Sequence, residues 1–192
     1  DAYAVPMFDM MRYHMGWLNN ELEPQEAPRG KRLRPVMCLL ACEAVAGQWK
    51  TALPAAGALE LIHNFSLIHD DIQDISETRR HRPTVWKLWG VPQAINAGDA
   101  MWTMSRLCCY RMADRGLSNK ATLAVVRLLD ETCLKLCTGQ YLDMGFEERD
   151  DVTLDEYMIM VEGKTASLLS TSLACGAIVG GGTSDQIETM AA

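Results

Sequence analysis

The chain has 192 residues, 48% of them apolar and 22% charged, with a formal net charge of −7. That length allows one domain with a sizeable core, and the balance is that of a globular protein, neither a disordered nor a collagenous one. The acidic charge argues against nucleic acid as the main partner, because phosphate backbones are held by clustered Lys and Arg. A phosphorylated small molecule stays possible, since the cations are bunched at Arg29-Gly-Lys-Arg-Leu-Arg34 and Arg79-Arg-His-Arg82. The seven cysteines form no CxxC pair and no Cys/His zinc spacing. Reduced thiols in apolar helical settings imply a cytoplasmic protein. No secretory signal opens the sequence, and the Ser167–Gly182 stretch is too short and too interrupted to span a bilayer.

Helix signals dominate from one end to the other. Val5 to Asn20 reads as a first helix with Pro6 early in it, followed by a Pro- and Glu-rich loop at Glu23–Gly30. Pro35 opens a second helix through Val45, stopped by Gly47. A third runs from Pro54 to Asp74, with Leu59, Ile62, Ser66 and Asp70 at three- and four-residue steps. Arg79–Pro83 leaves the helix, because a residue before proline disfavours α geometry. Pro92 opens a fourth helix to Arg115, and Ser118 caps a fifth reaching Gly145. Thr153-Leu-Asp-Glu156 is a capping box for a sixth ending at Gly180-Gly-Gly182, after which Ser184 caps a last helix. Strand signals are weak throughout, and the expected class is all-α, one domain over residues 1–192.

The most informative stretch is His63-Asn-Phe-Ser-Leu-Ile-His-Asp-Asp-Ile-Gln-Asp74. On a helix Asp70 and Asp74 lie one turn apart on one face, flanked by Asp71. Carboxylates so close repel one another unless a cation neutralises them, and a hard ion such as Mg²⁺ takes one or two carboxylates plus water and phosphate oxygens. A solvated helix end paired to Arg79 and Arg80 is the competing reading. Acids, a metal and an arginine pair together suit a diphosphate.

Gly30-Lys-Arg-Leu-Arg-Pro35, Asp70-Asp-Ile-Gln-Asp74, Thr78-Arg-Arg-His-Arg-Pro83, Asn96-Ala-Gly-Asp99, Gly139-Gln140 and Gly163-Lys-Thr-Ala166 follow one another along the chain. In that order they resemble the motifs of the trans-isoprenyl (polyprenyl) diphosphate synthases, a resemblance spanning Gly30 to Ala166. It implies a homodimeric, isoprenoid-synthase-type helical bundle around a central cavity, and a Mg²⁺-dependent prenyltransferase joining isopentenyl diphosphate to an allylic diphosphate. By the same resemblance Gly30, Lys31, Arg34, His63 and Arg80 hold isopentenyl diphosphate. Asp70, Asp71 and Asp74 bind the metal, while Arg79, Gln140, Lys164 and Thr165 meet the allylic diphosphate. Asp143, one turn after Gln140, is spaced to orient Lys164.

Residues just before the first aspartate motif form the floor of the growing-chain cavity in this family. Here they are Phe65 and Ser66, with Ile62 one turn deeper. An aromatic beside a small residue resembles the geranylgeranyl pattern more than the farnesyl one. Each residue alone has a plainer reading: Lys31, Arg34 and Lys164 as surface cations, His63 as a satisfied core histidine, Gln140 and Asn96 as buried amides, Met101, Trp102 and Met104 as core. The family's second aspartate-rich motif, and the C-terminal helices that carry it, are missing from this chain. A class I terpene cyclase and a non-catalytic subunit of a heteromeric synthase are the competing functions. The Lys31/Arg34/His63/Arg80 set speaks against the first, because a cyclase has no second diphosphate to hold.

Overall fold

The computed structural model describes residues 5–25 and 30–192; the expected loop at 23–30 and the cation at 29 fall partly or wholly outside them. The all-α expectation holds, and the helix ends sit where the local chemistry puts them. Helix α1 spans Pro6–His14, α2 Leu33–Ala46, α3 Leu53–Gln73, α4 Val85–Trp89, α5 Val91–Asp114, α6 Asn119–Phe146, α7 Leu154–Val161, α8 Ser167–Val179 and α9 Ser184–Ala191. The Ser118 hydroxyl accepts from Ala121 N–H, and Thr153 and Glu156 close the reciprocal cap of α7.

Four expectations need correcting. The first helix ends at His14 rather than Asn20, because Gly16 turns left-handed (φ 79°) and diverts the chain. Asn19 then holds a turn, its side-chain oxygen accepting from the Glu21 and Glu23 amides at 3.0 and 2.8 Å. Thr183, not Ser184, caps the last helix, in a second capping box with Gln186. The helix expected from Thr153 to Gly180 is interrupted by a π-helical turn at Glu162–Ala166. Between α3 and α5 the chain also makes a miniature hairpin, β1 (Thr78–Arg79) against β2 (Arg82–Pro83), and the short helix α4.

That hairpin has a two-residue loop, Arg80-His81, with both residues at positive φ (54° and 63°). This is the twist a tight hairpin asks for, which Asn-Gly ordinarily supplies. Non-glycine residues there are strained by on the order of 1 kcal/mol each. His81→Gly is therefore expected to raise the unfolding free energy by roughly 0.5–1 kcal/mol in urea titrations, the gain being trimmed by glycine's greater freedom when unfolded.

The chain divides into two compact units. The first is Asp1–Arg32 with Leu61–Ser105, the second Leu33–Glu60 with Arg106–Ala192. The first unit's core gathers Met10, Met11, Tyr13, Met15, Ile68, Val85, Ala94, Ala97 and Met101, with Phe65, Trp86 and Met104 against it. Trp102 lies outside that core, 39% exposed, because one residue's step along α5 turns it away from the face of Met101.

In the second unit α8 packs on α2 and on α6. Gly176 of α8 lies so close to α2 that a Cβ there would sit 2.1 Å from the Cys38 carbonyl oxygen. On the α6 side the Thr132 and Thr171 hydroxyls meet at 2.7 Å in the buried interface. No disulfide links the cysteines among the described residues, and burial pushes the Cys38 and Cys109 thiols up to about 12. Buried thiols of that kind are inert packing groups. Among the described residues no helix is long and apolar enough to cross a membrane.

Candidate active site

In the first unit the end of α3 and the hairpin are joined by charge. Arg79 lays its guanidinium across two carboxylates, Nε donating to Asp71 at 2.6 Å and Nη2 to Asp70 at 2.9 Å. The two acids face differently: the Asp71 side chain is 2% exposed and the Asp70 side chain 18%, while Asp74 is exposed at the helix end. The arginine pairing weighed from the sequence is thus present for Arg79. It is compatible with a ligand role, because Asp70 and Asp74, the latter one residue past the end of α3, stay reachable. Asp71 Oδ2 is buried without a hydrogen-bond partner among the described residues.

Three or more His, Cys, Asp or Glu do not converge into a cage among the described residues. A Mg²⁺ site does not need one, since that ion is commonly held by one or two carboxylates together with phosphate oxygens. The donors at 70, 71 and 74 are all carboxylate oxygens, the kind a hard divalent cation takes, so the residues fit the ion in chemistry.

The hairpin is strapped to α1. Arg82 donates to the Tyr13 and Leu18 carbonyls at 2.9 and 2.6 Å, and its guanidinium stacks 4.0 Å from the Tyr13 ring centroid. The Tyr13 hydroxyl returns a bond to the Pro83 carbonyl at 2.8 Å. At the hairpin's base the Thr84 hydroxyl and the Trp86 indole N–H both donate to the Ser76 carbonyl, each at 2.9 Å. Of the basic run 79–82, Arg82 therefore grips backbone carbonyls, while Arg79 bridges the two carboxylates. Gly30 lies against Arg80, a Cβ there falling 3.1 Å from Arg80 Nη2. Lys31 is exposed, and His63 and Ser66 are half-buried, Ser66 donating to the His63 carbonyl at 2.8 Å. Ile62 is buried, and Phe65 meets His69 edge-to-face at 5.8 Å.

A residue that sequence reasoning missed completes this cluster. His14, the last residue of α1, lines a cleft with Asp71, Arg79, Arg80 and Arg82. Burial, then the charges of Arg80 and Arg79, push its pKa down to about 3, against a side-chain bond to Asn64 that acts the other way. Burial pushes Asp71 up to about 6 although Arg79 opposes it.

These shifts pull stability in opposite directions. His14 gains its proton only on unfolding, so its contribution is complete above pH about 6.5 and is lost as pH falls toward 3. Asp71 holds its proton more tightly when folded, so it costs stability above pH about 6, and that cost fades as pH falls from 6 toward 3.8. Each effect changes by about 1.4 kcal/mol per pH unit within its window. Relative to the unsubstituted protein, His14→Gln is expected to gain stability between pH 7 and pH 5, and Asp71→Asn to lose it, in urea titrations at both values.

The second unit carries the remaining candidates. Lys164 Nζ donates to Asp143 Oδ2, the orientation expected from the spacing. Lys164 and Thr165 sit on the π-helical turn, which redirects side chains relative to a regular helix. Thr165 is exposed, and Gln140 Nε2 is buried without a hydrogen-bond partner among the described residues. Arg34 is half-buried, and the Glu60 carboxylate opposes the fall in its pKa that burial causes. Asn96 is exposed rather than a buried amide, and bonds only weakly to Gln93, at 3.5 Å.

The polyprenyl synthetase family model matches residues 16–192, nearly the whole chain. The chain belongs to the polyprenyl synthetase family. It is 47% identical over 161 residues to a short chain isoprenyl diphosphate synthase of Methanothermobacter thermautotrophicus, covering 84% of this chain and 48% of that one. It is 40% identical over 181 residues to a (2E,6E)-farnesyl diphosphate synthase of Mycobacterium tuberculosis, covering 94% and 49%. Among solved structures, the geranylgeranyl pyrophosphate synthetase of Pyrococcus horikoshii superposes with a TM-score of 0.85 at 35% identity, covering 96% of this chain and 52% of that one. This polyprenyl synthetase chain thus spans about half the length of the curated relatives it matches.

Proposed function

We propose that this chain is the diphosphate-handling part of a short-chain trans-prenyl diphosphate synthase, which condenses isopentenyl diphosphate with an allylic diphosphate head to tail. The observation that carries the reading is the joined cluster of the first unit: Asp70 and Asp71 bridged by Arg79, with Arg80 next to Gly30. Cations and carboxylates interleaved at this density suit a substrate that is itself an anion bound partly through a cation.

Arg80, with Gly30, Lys31, Arg34 and His63, holds the isopentenyl diphosphate. Arg79, Lys164, Thr165 and Gln140 attend the allylic diphosphate, and Asp143 keeps Lys164 in its orientation. Asp70, Asp71 and Asp74 would hold Mg²⁺, which when bound would supply Lewis-acid stabilisation of a departing diphosphate. Fixed cations at Arg79 and Lys164 add electrostatic stabilisation as that charge develops. As the allylic carbon–oxygen bond breaks, the isopentenyl double bond attacks the allylic carbon, and the proton then lost passes to the departed diphosphate, so that no side-chain nucleophile is needed. Phe65, packed against His69, limits chain growth by volume, which favours a geranylgeranyl product over a longer one. Residues 1–192 belong to a single helical polyprenyl synthase domain. Homodimerisation and a cytoplasmic setting complete the proposal.

The test is product analysis of the full-length protein with isopentenyl diphosphate and allylic starters, with Mg²⁺ and with chelator. A Mg²⁺-dependent linear prenyl diphosphate is expected, geranylgeranyl in length, with longer products from Phe65→Ala. A cyclic hydrocarbon would identify a cyclase instead, and an intact protein that makes nothing would point to a non-catalytic subunit. An unchanged product length in Phe65→Ala would remove Phe65 from the floor.

A further inference from the structure

His14 is half-buried as a residue, yet its Nε2 is buried beside arginines. Arg82 grips the backbone at Tyr13 and Leu18, fixing the end of α1 against β2. The ring of His14 is thereby brought beside Asn64 and His63 of α3 and beside Arg79 and Arg80 of the hairpin. Its side-chain hydrogen bond is to Asn64, which is 0% exposed. Its Nε2 is buried and has no hydrogen-bond partner among the described residues. Buried polar atoms are nearly always paired, so an orphan next to a cleft marks a place where something else binds. That cleft is lined by Asp71 and by three arginines, Arg79, Arg80 and Arg82. Of these, Arg79 and Arg80 repel a proton from the ring and attract an anion to the space beside it.

We propose that His14 is a further diphosphate-binding residue, its Nε2–H donating to a phosphate oxygen in the cleft it shares with Arg79 and Arg80. This rests on the reading of Arg80 as part of the isopentenyl diphosphate site. A neutral imidazole has one donor and one acceptor nitrogen. The Asn64 side chain bonds the ring at its other nitrogen, Nδ1, which leaves Nε2 the nitrogen that faces no protein partner among the described residues. The ring then adds a directional donor to the arginine cations, without adding a further positive charge that they would oppose.

The experiment uses inorganic pyrophosphate as the probe on the whole chain. Affinity is measured by calorimetry, and the His14 imidazole nitrogens are followed by nitrogen-15 NMR. Three variants, Arg80→Ala, His14→Leu and His14→Gln, are compared with the unsubstituted protein. The expected result is Arg80-dependent binding, a shift of the Nε2 resonance on adding pyrophosphate, and a loss of about ten-fold or more in affinity for His14→Leu. The glutamine variant, whose amide can place an N–H near the same point, recovers most of that loss. Arg80-dependent binding with an unmoved Nε2 resonance would overturn the role of His14 and leave the diphosphate reading standing, with no variant needed to judge it. No binding by the unsubstituted chain would overturn both.

Discussion

Replacing Arg79 by methionine is expected to lower the unfolding free energy by about 3 kcal/mol at pH 7, with the loss shrinking as pH is lowered toward 5. Arg79 is the only charged partner given to Asp71 by a direct hydrogen bond among the described residues, at 2.6 Å, and the carboxylate it serves is 2% exposed. Removing one member of a buried pair leaves an uncompensated charge, at a cost of about 3–5 kcal/mol. Asp71 can escape part of that cost by taking up a proton. Its pKa is already raised to about 6 with the arginine in place, and it rises further without it. Below that value the acid is neutral in the folded state, so the arginine matters less. The double variant Arg79→Met, Asp71→Leu is expected to recover much of the loss, since apolar residues often replace a buried ion pair at no net cost. Urea titrations of the three proteins at pH 7 and 5 decide it. If Arg79→Met cost as much at pH 5 as at pH 7, the loss would come from packing and not from charge.

The second large effect is a methyl group. Gly139→Ala is expected to destabilise the protein by about 3 kcal/mol and to disturb the Lys164–Asp143 pair. A Cβ on Gly139 would fall 2.2 Å from the Lys164 backbone nitrogen and 2.8 Å from Lys164 Cα. Both partners are backbone atoms, so a rotamer change cannot relieve the clash, and overpacking of this kind costs about 1–3 kcal/mol or more. Alanine's better helix propensity returns only about 1 kcal/mol, which decides the sign. Gly145, in the same helix α6, has nothing within 4 Å of its would-be Cβ. Gly145→Ala is therefore expected to stabilise by up to about 1 kcal/mol. Thermal or urea unfolding of the two variants compares one substitution in one helix, with opposite outcomes expected. Two destabilised variants would sink the close-approach account of Gly139. The same contact explains the motifs: Gly139 and Gly163 are what let α6 touch the π-helical turn, where Lys164 sits.

Helix type and most helix boundaries were legible in the amino-acid order, because they depend on neighbours three or four residues away. Ser118 and the Thr153/Glu156 box cap their helices with side chains already present in the local sequence. Membership of the polyprenyl synthetase family was legible too, since six spaced motifs specify more than any one of them. Where local signals failed, a distant contact had overruled them. The π-helical turn at Glu162–Ala166 answers to the backbone of α6. The left-handed Arg80-His81 loop is imposed by the pairing of Arg79 with Arg82 and by the grip of Arg82 on α1.

Within the candidate site, sequence spacing put Asp70 and Asp74 on one face, as any helix must. It could not distinguish a reachable Asp70 from a buried Asp71, because burial depends on what packs against α3. It gave no hint of His14, 56 positions before Asp70 in the sequence. Periodicity determines which residues of one element share a side. Only tertiary packing, by removing water and bringing separate elements' charges together, decides which of them become a site.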